Sequence, residues 1–430
     1  MNQGRENASR RVRFSRVAGG LGVALIGAVA ALAPASAAAD PEAAWIELGP
    51  ERQATVRAIT EDARCPSMRV NGSGRVMNER AAPDPPDYDV LTCQKSIGQS
   101  ANRIEVDGTQ LQAPVGRVER IAVVGDTGCR MAGPGFTQAC NDPAAWPFEQ
   151  VADSIAEWNP ELIVHVGDYH YREKPCPAGI DCAGSPYGYN WPAWDADFFS
   201  PAAKSLRAAP WVLLRGNHES CSRAGAGWFR FLEPRPAPSS CADFTDPYTV
   251  YIGRARLPVL DTSAANDFSP YNPQQYASQF AELDELVGPN QALLLTHKPI
   301  WGLAAINNGA GFAVTNISLE QASSNSLPGR VRAVVSGHLH NAEVFGFEGG
   351  RAPQLVIGNG GTMLDAQITA PIVGTETAGA KIVDGLAESR FGFATMVRED
   401  GGWTLVARGP DGKAFARCPV IGKSAACKPG

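Results

Sequence analysis

Apolar residues along this chain gather into short dense runs, and the period inside each run predicts an element. Arg120 to Gly125, Glu161 to Gly167, Trp211 to Arg215, Ala292 to Thr296 and Val331 to Ser336 are apolar at nearly every interior position, the pattern of strands covered on both faces. Pro147 to Trp158 and Gln274 to Val287 carry helical spacing instead, and Pro201 to Ala209 reads as a short helix. Such alternation builds stacked layers, so a mixed α/β (α+β) domain is expected over residues 118–430. Thr249 to Leu260 adds a further apolar stretch, and Phe391 to Val397, Gly401-Gly402 and Trp403 to Ala407 read as a β-hairpin. Residues 40–117 differ. Short β-type runs such as Ala54 to Ile59, broken by Asn71-Gly72 and by Pro83, Pro85 and Pro86, predict a small separate β domain. Two stretches lack regular pattern, Tyr171 to Trp194 and Gly302 to Leu327. Long loops are usually functional, and each follows a motif described below, so both are expected at the mouth of a site.

The first 39 residues stand apart. Arg5, Arg10, Arg11, Arg13 and Arg16 precede an uncharged stretch from Val17 to Ala39 that ends around Ala35-Ser36-Ala37, the layout of an export signal peptide. The stretch approaches the ~20 residues that span a bilayer, but its Gly and Ala richness, Pro34 and the small-x-small site favour cleavage. Ser9-Arg10-Arg11-Val12-Arg13-Phe14 resembles a twin-arginine signal, with Arg13 interrupting the pattern. Without residues 1–39 the chain keeps 33 basic and 43 acidic groups, a net charge of −10. That balance, with no basic stripe, argues against a nucleic-acid binder, whose affinity rests on clustered Lys and Arg. It leaves the membrane a role only in export. A locally positive metal site could still attract phosphate. All ten cysteines follow the signal, and an even count in an exported chain predicts disulfides in a periplasmic or secreted protein. Pairing of sequence neighbours gives the shortest loops: Cys65 with Cys93, Cys129 with Cys140, Cys176 with Cys182, Cys221 with Cys241, and Cys418 with Cys427. A zinc site built from these cysteines is disfavoured because no C-x-x-C pair occurs.

The candidate chemistry sits at the ends of the strand-like runs. Gly125-Asp126-Thr127-Gly128, Gly167-Asp168-Tyr169-His170-Tyr171, Gly216-Asn217-His218-Glu219, Leu294-Leu295-Thr296-His297 and Gly337-His338-Leu339-His340 occur in that order. A strand ending in Gly-Asp exposes its carboxylate at the carboxyl edge of a sheet, where α/β folds place ligands. Several such edges side by side make a cage of hard oxygen and imidazole donors around a bridging carboxylate. Two cations held ~3.5–4 Å apart in such a cage can activate water and clamp a phosphate.

This set of motifs resembles the purple acid phosphatase branch of the calcineurin-like metallophosphoesterases. Gly128 stands where other members usually carry a metal-ligating histidine. Tyr171, three residues past Asp168, stands where the purple enzymes place a tyrosinate on ferric iron. The resemblance implies a metallophosphatase β-sandwich flanked by helices. It also implies two metal ions, with Asp126, Asp168, Tyr171 and His340 on the first, and Asp168, Asn217, His297 and His338 on the second. A phenolate suits Fe(III), and the imidazole and amide side suits Zn(II), Mn(II) or Fe(II). His218 is then the catalytic residue facing substrate, together with Asn217. The implied reaction is hydrolysis of phosphate monoesters by a metal-bound hydroxide. A phosphodiesterase or nucleotidase on the same cage is the alternative, and an inactive secreted binding protein a third reading.

Other residues of these motifs have plainer expectations. Glu219 is an orienting partner, Arg215 a strand-end charge, and His165 a satisfied core histidine. His170 either lines the pocket or is exposed. The plant and animal purple phosphatases carry further histidines after the LLTH-type motif. None lies between His297 and His338, where Asn307 and Asn308 are the nearest polar candidates.

Overall fold

The computed structural model describes residues 41–430 except 325, 326 and 400; the expected signal peptide lies outside the described residues. Two large sheets pack face to face. The first runs, edge to edge, through Ser424–Ala425, Ala414–Ile421, Gly402–Arg408, Phe393–Glu399, Arg120–Val124, Leu162–His165, Trp211–Leu213, Ala43–Leu48, Ala54–Thr60, Leu91–Ile97 and Asn78–Ala81. Its centre is parallel, with Val123 opposite Val164 and Val164 opposite Val212. The second sheet is centred on Ala255–Leu260, Ala292–Thr296, Val331–Ser336 and Gln354–Ile357, also parallel.

Period-two alternation explains why these short runs needed apolar residues throughout. Ile121, Val123, Val164 and Val212 face Leu295, Val335 and Leu355 in the core between the sheets. Ala122, Val124, Ile163 and Leu213 face outward into a cluster with Phe148, Trp194, Phe198 and Phe231, which comes from the helices Phe148–Glu157 and Gly225–Phe231 and the short helical segments Trp191–Trp194 and Asp195–Phe199 between them. Leu294 and Val334 face a third cluster with Tyr276 and Leu283 of the helix Pro273–Val287. The result is a β-sandwich covered by helices on both outer faces, as expected for strands buried on two sides.

Three expectations are corrected. Residues 40–117 are not set apart as expected: Ala43–Leu48 pairs in parallel with Trp211–Leu213, and the described residues form one compact unit. Edge pairing leaves little signature in a sequence, because a strand that extends a sheet and one that starts its own carry the same alternation. The four strands Ser73–Val76, Ser67–Val70, Ile104–Val106 and Thr109–Leu111 pair into a small sheet of their own, but its Met68, Ile104, Val106 and Leu111 join the core between the large sheets. Thr249 to Leu260 is a hairpin turning at Gly253, whose φ is +57°. The stretch from Gly302 to Leu327 contains a hairpin, Leu303–Ile306 with Gly311–Val314, and the helix Ile317–Ala322; Asn307 and Asn308 form the hairpin tip. Five disulfides join the neighbour pairs expected from the sequence, and no free cysteine occurs among the described residues. No helix among the described residues is long and apolar enough to cross a membrane.

Candidate metal centre

All five motifs leave the carboxyl ends of parallel strands and meet on one edge of the sandwich. Asp126, Asp168 and Asn217 come from the first sheet; His297, His338 and His340 come from the second. Asp126, Asp168 and His338 adopt left-handed φ values of 55°, 59° and 71°, a conformation non-glycine residues take rarely and Asp and His more readily than most. The turns are held by bonds between motifs. Asp126 N–H donates to the Gly167 carbonyl at 3.0 Å, His338 N–H to Asp126 Oδ2 at 3.0 Å, and His218 N–H to Asp168 Oδ1 at 2.8 Å.

The side chains converge into two groups sharing Asp168. On one side the Tyr171 hydroxyl lies 2.9 Å from Asp168 Oδ2, 3.2 Å from Asp126 Oδ1 and 3.1 Å from His340 Nε2. On the other, His297 Nε2 lies 3.3 Å from Asp168 Oδ2 and 3.0 Å from Asn217 Oδ1. Ligand atoms of Asp168, His297 and His338 all fall within 4.8 Å of one another. Asp126, Asp168, Tyr171 and His297 are buried, while Asn217, His218 and His338 are partly exposed, so the cluster opens on the side of the second group.

Each imidazole is anchored through its other nitrogen. His297 Nδ1 lies 2.8 Å from the Val166 carbonyl, His340 Nδ1 2.8 Å from the Met363 carbonyl, and His338 Nε2 3.2 Å from Asp267 Oδ1. A nitrogen next to such an acceptor carries the proton and leaves its partner's lone pair for a cation.

Electrostatics point the same way. Burial, with Asp168 adding, raises the Asp126 carboxyl well above its ordinary value, although His297 opposes this. Burial also works against the Asp168 carboxylate, but His297 and His218 beside it hold it well below the ordinary carboxylate range. His297 is pushed up to about 9: burial opposes its charge, and the two carboxylates override burial. Burial and the same carboxylates raise the Tyr171 phenol well above its ordinary value. A dry pocket whose carboxylates draw charge onto a buried imidazole, lined by phenol, imidazole and amide oxygen, is a donor set suited to hard and borderline cations.

Behind these side chains lies a polar frame. The buried Glu219 carboxylate accepts the backbone N–H groups of Asp168, Tyr169, His170 and Gly216 at 2.9–3.2 Å, which is the orienting role expected of it. Asp197 accepts the N–H groups of Cys129, Tyr171 and Arg172 at 2.7–3.0 Å and pairs with the Arg172 guanidinium at 2.8 Å. A Cβ on Gly128 would stand 2.4 Å from the Tyr169 carbonyl oxygen and 2.9 Å from Asp197 Oδ2. No histidine fits at that position, because the loop bearing Tyr171 fills the space.

The remaining sequence expectations sort as follows. His165 is a core histidine, stacked 3.9 Å from the Tyr169 ring with Nε2 3.0 Å from Thr127 Oγ1. His170 is buried and turns from the centre, its Nε2 2.9 Å from the Gly188 carbonyl. Arg215 is more than a strand-end charge: buried over Phe229, it donates to the Glu219 carbonyl at 2.8 Å and so braces the Asn217–Glu219 turn. His218 packs at a tilt against Tyr171, ring centroids 3.8 Å apart, its Nδ1 3.1 Å from the His170 carbonyl and 3.2 Å from Glu173 Oε1, with Arg223 Nη2 2.6 Å from Nδ1 and 3.0 Å from Nε2. Glu173, Arg223, Asp197 and Asp267 were not visible as site residues in the sequence. Asp197 alone left a signal, as a carboxylate directly preceding Phe198 and Phe199 in the stretch Trp194 to Phe199, which it shares with Asp195, where burial demands partners.

A site of this kind, on the strand ends of a helix-covered sandwich, defines a metallophosphoesterase. Residues 119–342 match the family model of the calcineurin-like phosphoesterases. The chain belongs to that family and is a phosphoric ester hydrolase, and membership implies a dinuclear metal site. No curated protein sequence matches it. Among solved structures it is similar to a purple acid phosphatase, PPD1, from yellow lupin (Lupinus luteus) seeds, with 14% identity, TM-score 0.56 and coverage of 89% of this chain and 73% of that one. It is similar also to PhoD, with 12% identity, TM-score 0.57 and coverage of 90% and 92%. At these identities the likeness is one of fold.

Proposed function

We propose that this protein is an exported dinuclear-metal phosphatase that hydrolyses phosphate monoesters. The observation that carries the reading is the Tyr171 hydroxyl, buried within hydrogen-bond reach of Asp126, Asp168 and His340 at once. One proton cannot serve three partners, and a phenol pushed upward by two carboxylates becomes a phenolate only beside a strongly Lewis-acidic cation. Asp126, Asp168, Tyr171 and His340 would hold Fe(III). Asp168, Asn217, His297 and His338 would hold Zn(II), Mn(II) or Fe(II). When bound, the pair supplies Lewis acidity that activates water and neutralises phosphoryl oxygens.

The chain's own groups do the rest. Asn217 and His218 stand at the partly exposed side of the cluster and receive the phosphoryl group. Burial lowers the His218 imidazole to about 4. The ring is therefore neutral, with the His170 carbonyl and Glu173 as acceptors beside Nδ1, while Nε2 lies 3.0 Å from Arg223 Nη2, a donor that an incoming phosphate would draw away. A phosphate dianion at Nε2 would favour its protonation, and that proton can pass to the leaving oxygen. Five disulfides without a free thiol among the described residues support export into an oxidising compartment.

The test is turnover of a chromogenic monoester against the matching diester by protein of known metal content, alongside Tyr171→Phe. The reading expects monoester preference, two metals per chain and a visible phenolate-to-iron band that the substitution abolishes. Diester preference would move the assignment to a phosphodiesterase. Colourless, iron-free, active protein would leave a zinc or manganese enzyme in place of the purple one.

A further inference from the structure

We infer that Asp267 is a positioning residue for His338, fixing which ring nitrogen faces the second metal position. Its consequence for metal binding rests on the dinuclear reading above; its geometry does not. Asp267 lies in the loop between Ala255–Leu260 and Pro273–Val287, outside all five motifs. Its Oδ2 accepts from Lys298 Nζ at 2.6 Å, and its Oδ1 lies 3.1 Å from Asn316 Nδ2 and 3.2 Å from His338 Nε2. Lys298 is buried, follows His297 in sequence and donates also to the Ala265 carbonyl at 2.8 Å.

Every other contact to Asp267 is a donor without a lone pair in play, so both carboxylate oxygens accept. His338 can join this arrangement only with a proton on Nε2. The neutral ring then offers its lone pair at Nδ1. His297 and His340 are anchored the opposite way, by main-chain carbonyls at Nδ1, which leaves Nε2 to a cation. His338 is thus the one histidine of the three anchored by a side chain, and its tautomer can be altered by a substitution that leaves the backbone intact. Because Lys298 adjoins His297, the Lys298–Asp267–His338 chain also ties together two ligands of the same proposed ion.

The decisive variant is Asp267→Asn, which keeps the shape. The Lys298 ammonium would claim the amide oxygen, and the amide NH2 would turn toward His338 Nε2 and Asn316. Asn316 can accept it, since its buried Oδ1 has no partner. His338 Nε2 would then become an acceptor and the proton would move to Nδ1. In metal-free protein, ring ¹⁵N NMR of His338 should report the Nε2–H form in wild type and the Nδ1–H form in Asp267→Asn. Metal titration should show second-site affinity falling ~10–100-fold, the usual effect of losing such a partner, with the first site filled as before. Lys298→Met, which spares the carboxylate, should keep the Nε2–H form.

An Nδ1–H tautomer in wild type would overturn the proposal. So would an unchanged tautomer in Asp267→Asn, or a switch in Lys298→Met equal to that in Asp267→Asn, which would reduce Asp267 to half of an ion pair. Wild-type protein that binds a single metal would sink the dinuclear reading, while the tautomer would still decide the role of Asp267.

Discussion

Asp197→Asn tests whether the frame behind the first metal position is built as described. Asp197 is fully buried in the turn Asp195–Phe199, and its two oxygens divide four donors. Oδ1 takes Cys129 N–H and Arg172 Nε; Oδ2 takes the N–H groups of Tyr171 and Arg172. Asparagine offers one oxygen and one NH2, so whichever way it turns, two donors face a donor. Each orphaned buried donor costs ~1–3 kcal/mol. The Arg172 guanidinium, buried on the Trp146 ring at 4.9 Å, also loses its counter-charge, and breaking a buried pair on one side costs ~3–5 kcal/mol. These overlap, because Arg172 supplies one of the two orphaned donors in either orientation, so a loss of about 3–5 kcal/mol is expected against a typical total of ~5–15 kcal/mol. Urea unfolding at equilibrium, with disulfides intact, reads this as a lower midpoint at unchanged slope. Metal analysis adds a local readout: either Cys129 or Tyr171 loses its backbone anchor, depending on which way the amide turns, and both belong to the loops around the first position, so its occupancy should fall more than that of the second. A loss under ~1 kcal/mol with both positions equally filled would refute the reasoning.

Other outcomes follow from the same geometry. Asp168→Asn should abolish turnover and lower metal content by direct analysis, because a neutral amide bridges two cations poorly. Gly128→Ala should lower stability by ~1–3 kcal/mol in a denaturant titration, since its Cβ would stand 2.4 Å from the Tyr169 carbonyl oxygen. The double change Cys221→Ser with Cys241→Ser opens a loop of sequence separation 20 and should cost ~2–4 kcal/mol, with faster proteolytic nicking near His218. Mass mapping under non-reducing conditions should return the five neighbour pairs and no free thiol; ten reduced cysteines in exported material would contradict the export proposal.

The sequence was most legible where one chemical demand acted on consecutive residues. Val164 and Leu295 sit in runs that are apolar throughout because both faces of the strand are covered, and the candidate ligands follow those runs at once. The cysteine pairs were legible because short loops need little closure. Asp267 and Asp197 were not, since each meets its partners across long sequence separations, 71 residues in the case of His338, and nothing local records such a meeting. The placement of Ala43–Leu48 failed for a related reason: a strand's alternation states which face is buried and says nothing about its neighbour. Arg215 was misjudged because its burial depends on Phe229 and on the Glu219 carbonyl, neither of which its own surroundings in the chain reveal.

The centre straddles the seam of the sandwich. Asp126, Asp168 and Asn217 ride on one sheet and three histidines on the other, and the two sides touch where His338 N–H meets Asp126 Oδ2 at 3.0 Å and His297 Nδ1 meets the Val166 carbonyl at 2.8 Å. Bound cations would act there as rivets, since ligand that favours only the closed arrangement adds its binding free energy to the cohesion of the layers. The reverse also holds. A conservative change deep between the sheets, at Val164 or Leu295, that lets one layer slide by a fraction of an ångström would be felt first as weakened metal affinity, long before the fold itself gave way. Metal affinity in this protein is therefore a gauge of alignment between its two halves.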